Sequence, residues 1–127
     1  MNQEDKIKSF TDLICWQEGH KLVLDVYKIT KLFPKEEMFG LVSQMRRSAV
    51  SITSNIAEGF SRYSYSDKAR FYSMSQGSVT ELQNQLLIAR DVGYLDNEKF
   101  NDIAKRSVLV NKLINGLIKK SKSILDS

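Results

Sequence analysis

Proline, histidine and cysteine occur once each in the 127 residues, and no long apolar run is present. With Pro34 alone and no stretch of alternating β-branched residues, the pattern excludes a β-rich fold and favours helices. The single Cys15 cannot close an intrachain disulfide and has no second thiol for a zinc knuckle, so a buried thiol beside Trp16 is expected. His20 falls on the helical face of Trp16, Val23 and Tyr27, which predicts a partly buried histidine rather than a general base. Ser51 and Ser54 have no histidine nearby in sequence to activate them. The carboxylates are scattered, not paired at i, i+3 or i, i+4 on an inward face. No catalytic residue, metal, cofactor or small-molecule substrate is therefore expected. No segment approaches the roughly 20 apolar residues of a membrane span. The opening "MNQEDKIKS" also lacks the core of a secretory signal, which points to the cytoplasm.

What is present is helical periodicity in one domain, residues 1–127. Thr11 as cap and Asp12 in the first turn predict a helix over about 12–31, with Leu13, Trp16, Val23 and Tyr27 on one stripe. Leu22, Val26, Ile29 and Phe33 form a second stripe, so this helix should be heavily buried. "LFPKEE" breaks it. A second helix over about 39–58 carries Met45, Ala49, Ile52 and Ile56 at core spacing, and Gly59 stands where a left-handed C-terminal cap is expected. "FSRYSYS" reads as a loop. Ser66 opens a third helix over about 66–92, with Phe71, Val79, Leu82, Leu86 and Ala89 inward and Gly93 at its end. Asp96 caps a fourth over about 97–122, with Phe100, Ile103, Val110, Leu113, Leu117 and Ile124 on its apolar side. Short connections between four such helices predict an all-α, up-down-up-down antiparallel four-helix bundle.

Helix two also has a second face. Gln44, Ser48, Ser51, Asn55 and Glu58 make a polar stripe flanked by Arg47 and Ser54, turned away from the Met45 stripe. Small polar residues are mediocre helix formers, so four in "SITSN" imply a contact that uses them. In helix three, Ser75, Gly77 and Ser78 repeat the pattern. A mid-helix glycine costs about 1 kcal/mol against alanine, which predicts tight packing at Gly77. Glu81 follows one turn later as a partner for Arg46 or Arg47.

"FTDLICWQEGHKLVLDVYKIT", "FGLVSQMRRSAVSITSNIAEGFSR" and "RFYSMSQGSVTELQNQL" resemble the four-helix-bundle family of 23S rRNA intervening-sequence proteins over roughly residues 10–115. The arginine pair leading into "NIAEG" is the most specific part, and the fold is similar to that of the accessory proteins of diversity-generating retroelements. The resemblance implies assembly into a ring, most often a homopentamer, with a basic surface and a role uncharacterised for most members. The family motif positions here are Trp16, Arg46, Arg47, Ser51, Asn55, Glu58, Gly59, Arg62, Gly77, Ser78 and Glu81. Thr53 departs from the proline that many relatives carry, which implies a straighter second helix.

Net charge is +4, unevenly placed: residues 41–70 hold five basic and two acidic side chains, and residues 99–127 hold seven and two. Candidate nucleic-acid contacts are Arg46, Arg47, Arg62, Lys68 and Arg70, with Tyr63 and Tyr65 for base stacking. Lys105, Arg106, Lys112, Lys119, Lys120 and Lys122 extend the basic character along helix four. Candidate subunit or helix contacts are Trp16, Ser51, Asn55, Glu58, Gly59, Gly77, Ser78 and Glu81. Two functions follow as expectations: a ring-forming, non-catalytic bundle that binds RNA or single-stranded DNA, or an assembly module that docks proteins only. The Lys119–Lys122 tract is too short to anchor the chain on a membrane.

Overall fold

The computed structural model describes residues 7–126. Four helices follow in order, α1 Ile14–Thr30, α2 Leu41–Ser61, α3 Tyr65–Asp91 and α4 Asn97–Asp126, with 3-10 turns at Phe10–Asp12 and Lys35–Glu37. Each helix packs on its chain neighbours, and α1 closes the square against α4, leaving α2 and α4 diagonal. The all-α, up-down-up-down bundle expected from the periodicity is what forms, with no strand among the described residues.

The core follows the stripes. Met45, Ala49, Ile52 and Ile56 are fully buried along α2 and meet Leu22 and Val26 of α1, Leu82 and Leu86 of α3, and Val110 and Ile114 of α4. Helix α1 is less hidden than its two stripes predict: Ile14, Leu24 and Tyr27 stay on the surface. Phe71, Phe100, Leu113 and Leu117 are only half-buried, and Ile124 is exposed.

Several helix ends differ from the sequence expectation. Ser9, not Thr11, is the cap, and the Asp12 carboxylate accepts from the backbone N–H groups of Ser9 (3.1 Å) and Lys8 (2.9 Å). That capping box nucleates a 3-10 turn, and extended Leu13 delays α1 to Ile14. Met38 and Phe39 precede α2, whose first N–H, on Leu41, is taken by the Glu37 carboxylate at 3.2 Å. Ser64 rather than Ser66 caps α3, accepting from Asp67 N–H at 3.1 Å. Asp96 caps α4 as expected, accepting from Lys99 N–H at 2.8 Å.

Gly59 is not a left-handed cap. Helix α2 runs through it to Ser61, and Gly93 alone among the described residues has a positive φ, +91°. The missing Cβ serves a close approach: one built on Gly59 would lie 2.6 Å from the Tyr72 ring of α3. Gly19, which the sequence pattern did not single out, does the same for α1, with the Thr53 methyl 3.1 Å from its Cβ position. Gly77 runs the other way, because nothing lies within 4 Å of a Cβ there. Gly59→Ala should therefore lower stability by about 1–3 kcal/mol through overpacking. Gly77→Ala should raise it by about 1 kcal/mol. Urea unfolding at one subunit concentration reads both.

Cys15 and Tyr72 titrate high because they are buried. Burial pushes the Cys15 thiol up from 9.0 to about 12. It pushes the Tyr72 hydroxyl up from 10.0 to about 12, with the neighbouring Cys15 and Tyr65 adding to it. Both groups are neutral when protonated, so the folded chain holds these protons more tightly than the unfolded one. Their contribution is complete below about pH 9 and is lost as pH rises towards 12. The urea midpoint should be flat from about pH 7 to 9 and fall beyond it; a midpoint that rises above pH 9 would contradict this.

Candidate nucleic-acid interface

The turn between α2 and α3 is three residues long, and its tip is built from basic and aromatic side chains. Arg62 leaves the helix in an extended conformation, so Tyr63 projects wholly into solvent. The Arg62 guanidinium lies 4.5 Å from the centre of the Phe71 ring, and that of Arg70 lies 4.9 Å from the same ring. Each also keeps an acid of its own turn: Arg62 pairs with Glu58 at 3.1 Å and Arg70 with Asp67 at 3.6 Å. These pairs are exposed, so they restrain the arginines without neutralising them in water. Tyr65 is exposed beside them.

Lys68 is committed inward. Its ammonium donates to the carbonyl of Phe60 at 2.6 Å and to that of Gly59 at 3.4 Å, closing the C-terminal end of α2, and partial burial lowers its pKa. Because the bundle alternates up and down, the close of α4 arrives at this same end. Phe60, Tyr65, Lys68, Tyr72, Leu117 and Lys120 line a common groove of about 310 Å³, and Lys119 and Lys122 stand exposed on the same stretch of α4.

The other basic candidates are not part of this end. Arg46 and Arg47 lie fifteen residues up α2 from the tip, about 22 Å at 1.5 Å per residue. Arg46 donates to the Thr30 hydroxyl at 3.0 Å and covers the Tyr27 ring at 4.6 Å. Arg106 is a strap, holding Glu18 at 2.8 Å and Asp25 at 2.9 Å on α1. Lys105 borders a mixed-charge groove with Asp25, Lys28, Lys99 and Asp102, and Lys112 is exposed midway along α4. The α2 and α4 candidates therefore converge at one end only.

The polar stripe of α2 faces α3 within the same chain. Ser48 donates to the Glu81 carboxylate at 2.7 Å, the Ser51 and Ser78 hydroxyls meet at 2.9 Å, and buried Ser75 donates to the Ile52 carbonyl at 2.7 Å. Gln85 also donates to Glu81, at 3.3 Å. The expected pairing of Glu81 with Arg46 or Arg47 does not form, since Arg46 turns to α1 and Glu81 to Ser48. Asn55 bonds back to Ser51 of its own helix, at 2.9 Å to its carbonyl. Trp16 is half-buried, edge-on to Phe10 and stacked on His20 at 4.8 Å. His20 is exposed, not partly buried, with the Trp16 ring stacked on it. Among the described residues no three His, Cys, Asp or Glu side chains gather as metal ligands, and no helix is long and apolar enough to cross a membrane.

Sequence reasoning missed the Arg106 strap, the Lys68 cap and the Ser48–Glu81–Gln85 cluster. One signal was readable: Glu18 and Asp25 are seven residues apart, which places two carboxylates on one line of α1 for a single forked cation to bridge.

The comparisons agree with this architecture. A crystal structure of a protein of unknown function, from the S23 ribosomal protein family of Bacteroides thetaiotaomicron VPI-5482, superposes with a TM-score of 0.77. It is 22% identical, and the match covers 84% of this chain and 99% of that one, a likeness of fold. No curated protein matches. The model of the 23S rRNA-intervening sequence proteins matches residues 11–116, and the chain belongs to that family.

Proposed function

We propose that the chain is a cytoplasmic, non-catalytic bundle that assembles with copies of itself into a ring, five-membered as the resemblance implies, and holds single-stranded nucleic acid at the α2–α3 end. The observation that carries the nucleic-acid reading is the tip itself. A wholly exposed tyrosine, Tyr63, stands beside two guanidinium groups packed on Phe71, with the lysines of α4 at the same end. Arginine suits phosphate, and an exposed ring is a stacking platform for a base free of its partner strand. The family's name ties it to segments inserted in 23S rRNA, which makes RNA the first polyanion to test. Self-assembly is supported by large apolar side chains left on the surface, among them Leu24, Phe39, Ile88 and Leu109.

A second reading, assembly without nucleic acid, draws support from the internal partners of Arg62, Lys68, Arg70 and Arg106. Binding of a labelled single-stranded RNA of about 20 nucleotides, titrated from about 50 to 200 mM salt, separates the two. The logarithm of affinity should fall linearly with the logarithm of salt, losing about 0.7 in slope for each phosphate contact removed. Tyr63→Ala should weaken binding by about 1–3 kcal/mol through lost stacking. Arg106→Met should leave affinity unchanged, because that charge is already spent on Glu18 and Asp25. No binding at the lowest salt would leave the assembly reading alone.

A further inference from the structure

Helix α3 leaves its outer side without a partner. Met74 is 49% exposed, Ile88 44% and Val92 56%. Met74, Glu81 and Ile88 recur every seven residues, the spacing that keeps one line of a helix facing one neighbour. Gly77 interrupts this line, and the space beside it is open. Glu81 is the charge on the line, and among the described residues no cation pairs with it, its one engaged oxygen accepting from Ser48 and Gln85.

The groove between α1 and α2 has the complementary character. It measures about 420 Å³ and presents Phe39, 97% exposed, with Met38 and Val50. Arg46 and Arg47 stand in its wall, and among the described residues neither meets a carboxylate. One face thus carries apolar side chains with uncompensated positive charge, the other apolar side chains with uncompensated negative charge.

Their levels along the bundle also match. The Ser48–Glu81 and Ser51–Ser78 contacts fix how α2 and α3 run past each other. Arg47 is therefore level with Glu81 to within a residue, and Ile88 with Leu41 at the start of α2, where Phe39 and Met38 lie just before it. We propose that the outer line of α3 on one copy docks in the α1–α2 groove of the next. Glu81 then faces Arg46 and Arg47, and Ile88 and Val92 cover Phe39 and Met38, an arrangement that rests on the self-assembly proposed above. Contact between two unlike faces propagates from copy to copy, and because the levels match without a shift along the axis, it closes as a ring rather than climbing as a filament.

Phe39→Asp blocks the groove and Ile88→Asp blocks the α3 line, both at exposed positions where folding is not at stake. Mass by light scattering, with helicity checked by circular dichroism, should show the unmodified chain assembled. Each variant alone should be a single subunit, with association weakened about a hundredfold or more. The two variants mixed should give twice the subunit mass and no more, since each retains one working face. Arg47→Glu, which reverses the charge opposite Glu81, should behave as Phe39→Asp does. Variants that keep the full mass, or a mixture that stays at one subunit, would overturn the pairing of these faces while leaving self-assembly intact. An unmodified chain of single-subunit mass would remove self-assembly itself.

Discussion

The seam between α2 and α3 is the constraint on which the rest of the architecture depends. Where the Gly59 backbone meets the Tyr72 ring, and where Ser75 reaches the Ile52 carbonyl, the two helices come closer than larger side chains would permit. Small hydroxyls then bond across the gap, so the contact is polar yet largely satisfied, although among the described residues the buried Gln85 side-chain oxygen there meets no partner. Such a seam adds little net energy for each bond, but a slip of one residue would strand several buried groups at once. It therefore sets register more than stability.

That seam also decides where α3 puts its apolar residues. Its inner side is shared between core residues such as Leu82 and Leu86 and the polar residues that meet α2, so the helix is only weakly amphipathic. Met74 and Ile88, with Val92 just past the helix, are among the apolar residues left exposed. The charges are partitioned in the same way. Arg106 spends its fork on tying α4 to α1, and Lys68 spends its ammonium on the end of α2. A net charge of +4 thus overstates the positive surface in some places and understates it at the α2–α3 tip.

The core and the topology were legible in the sequence because they follow from a period. Met45, Ala49, Ile52 and Ile56 recur at helical spacing, and four such helices with short links leave little choice of arrangement. The helix ends were less legible, since Ser9 and Thr11, or Ser64 and Ser66, are all hydroxyls able to cap a free backbone N–H two or three residues on, and only the backbone path selects one. Gly59 misled for a related reason: a left-handed cap and a close helix crossing both require an absent Cβ, and the sequence does not say which. Periodicity likewise placed Glu81 and the Arg46–Arg47 pair on helix faces without saying which neighbour each face meets. The candidate site was legible as a list of charges, but not the division between those held by internal acids or carbonyls and those left to solvent.

What joins the two halves of the proposed role is direction. A ring whose copies are related by rotation about an axis along the bundle turns every α2–α3 tip to the same rim. Each tip carries one exposed tyrosine and two restrained arginines, which alone would give a proposed strand a contact of modest strength. If the proposed ring forms and binds a strand, several tips on one rim would engage it at high effective concentration, and their contacts would multiply without any new bond within a tip. Restraint of Arg62 and Arg70 by Glu58, Asp67 and Phe71 would favour such binding, because guanidinium groups already ordered lose less entropy on meeting a phosphate. In the proposed ring affinity would belong to the rim and specificity to the spacing of its tips, and Glu58 and Asp67 would serve to fix where the arginines wait rather than to compete for them.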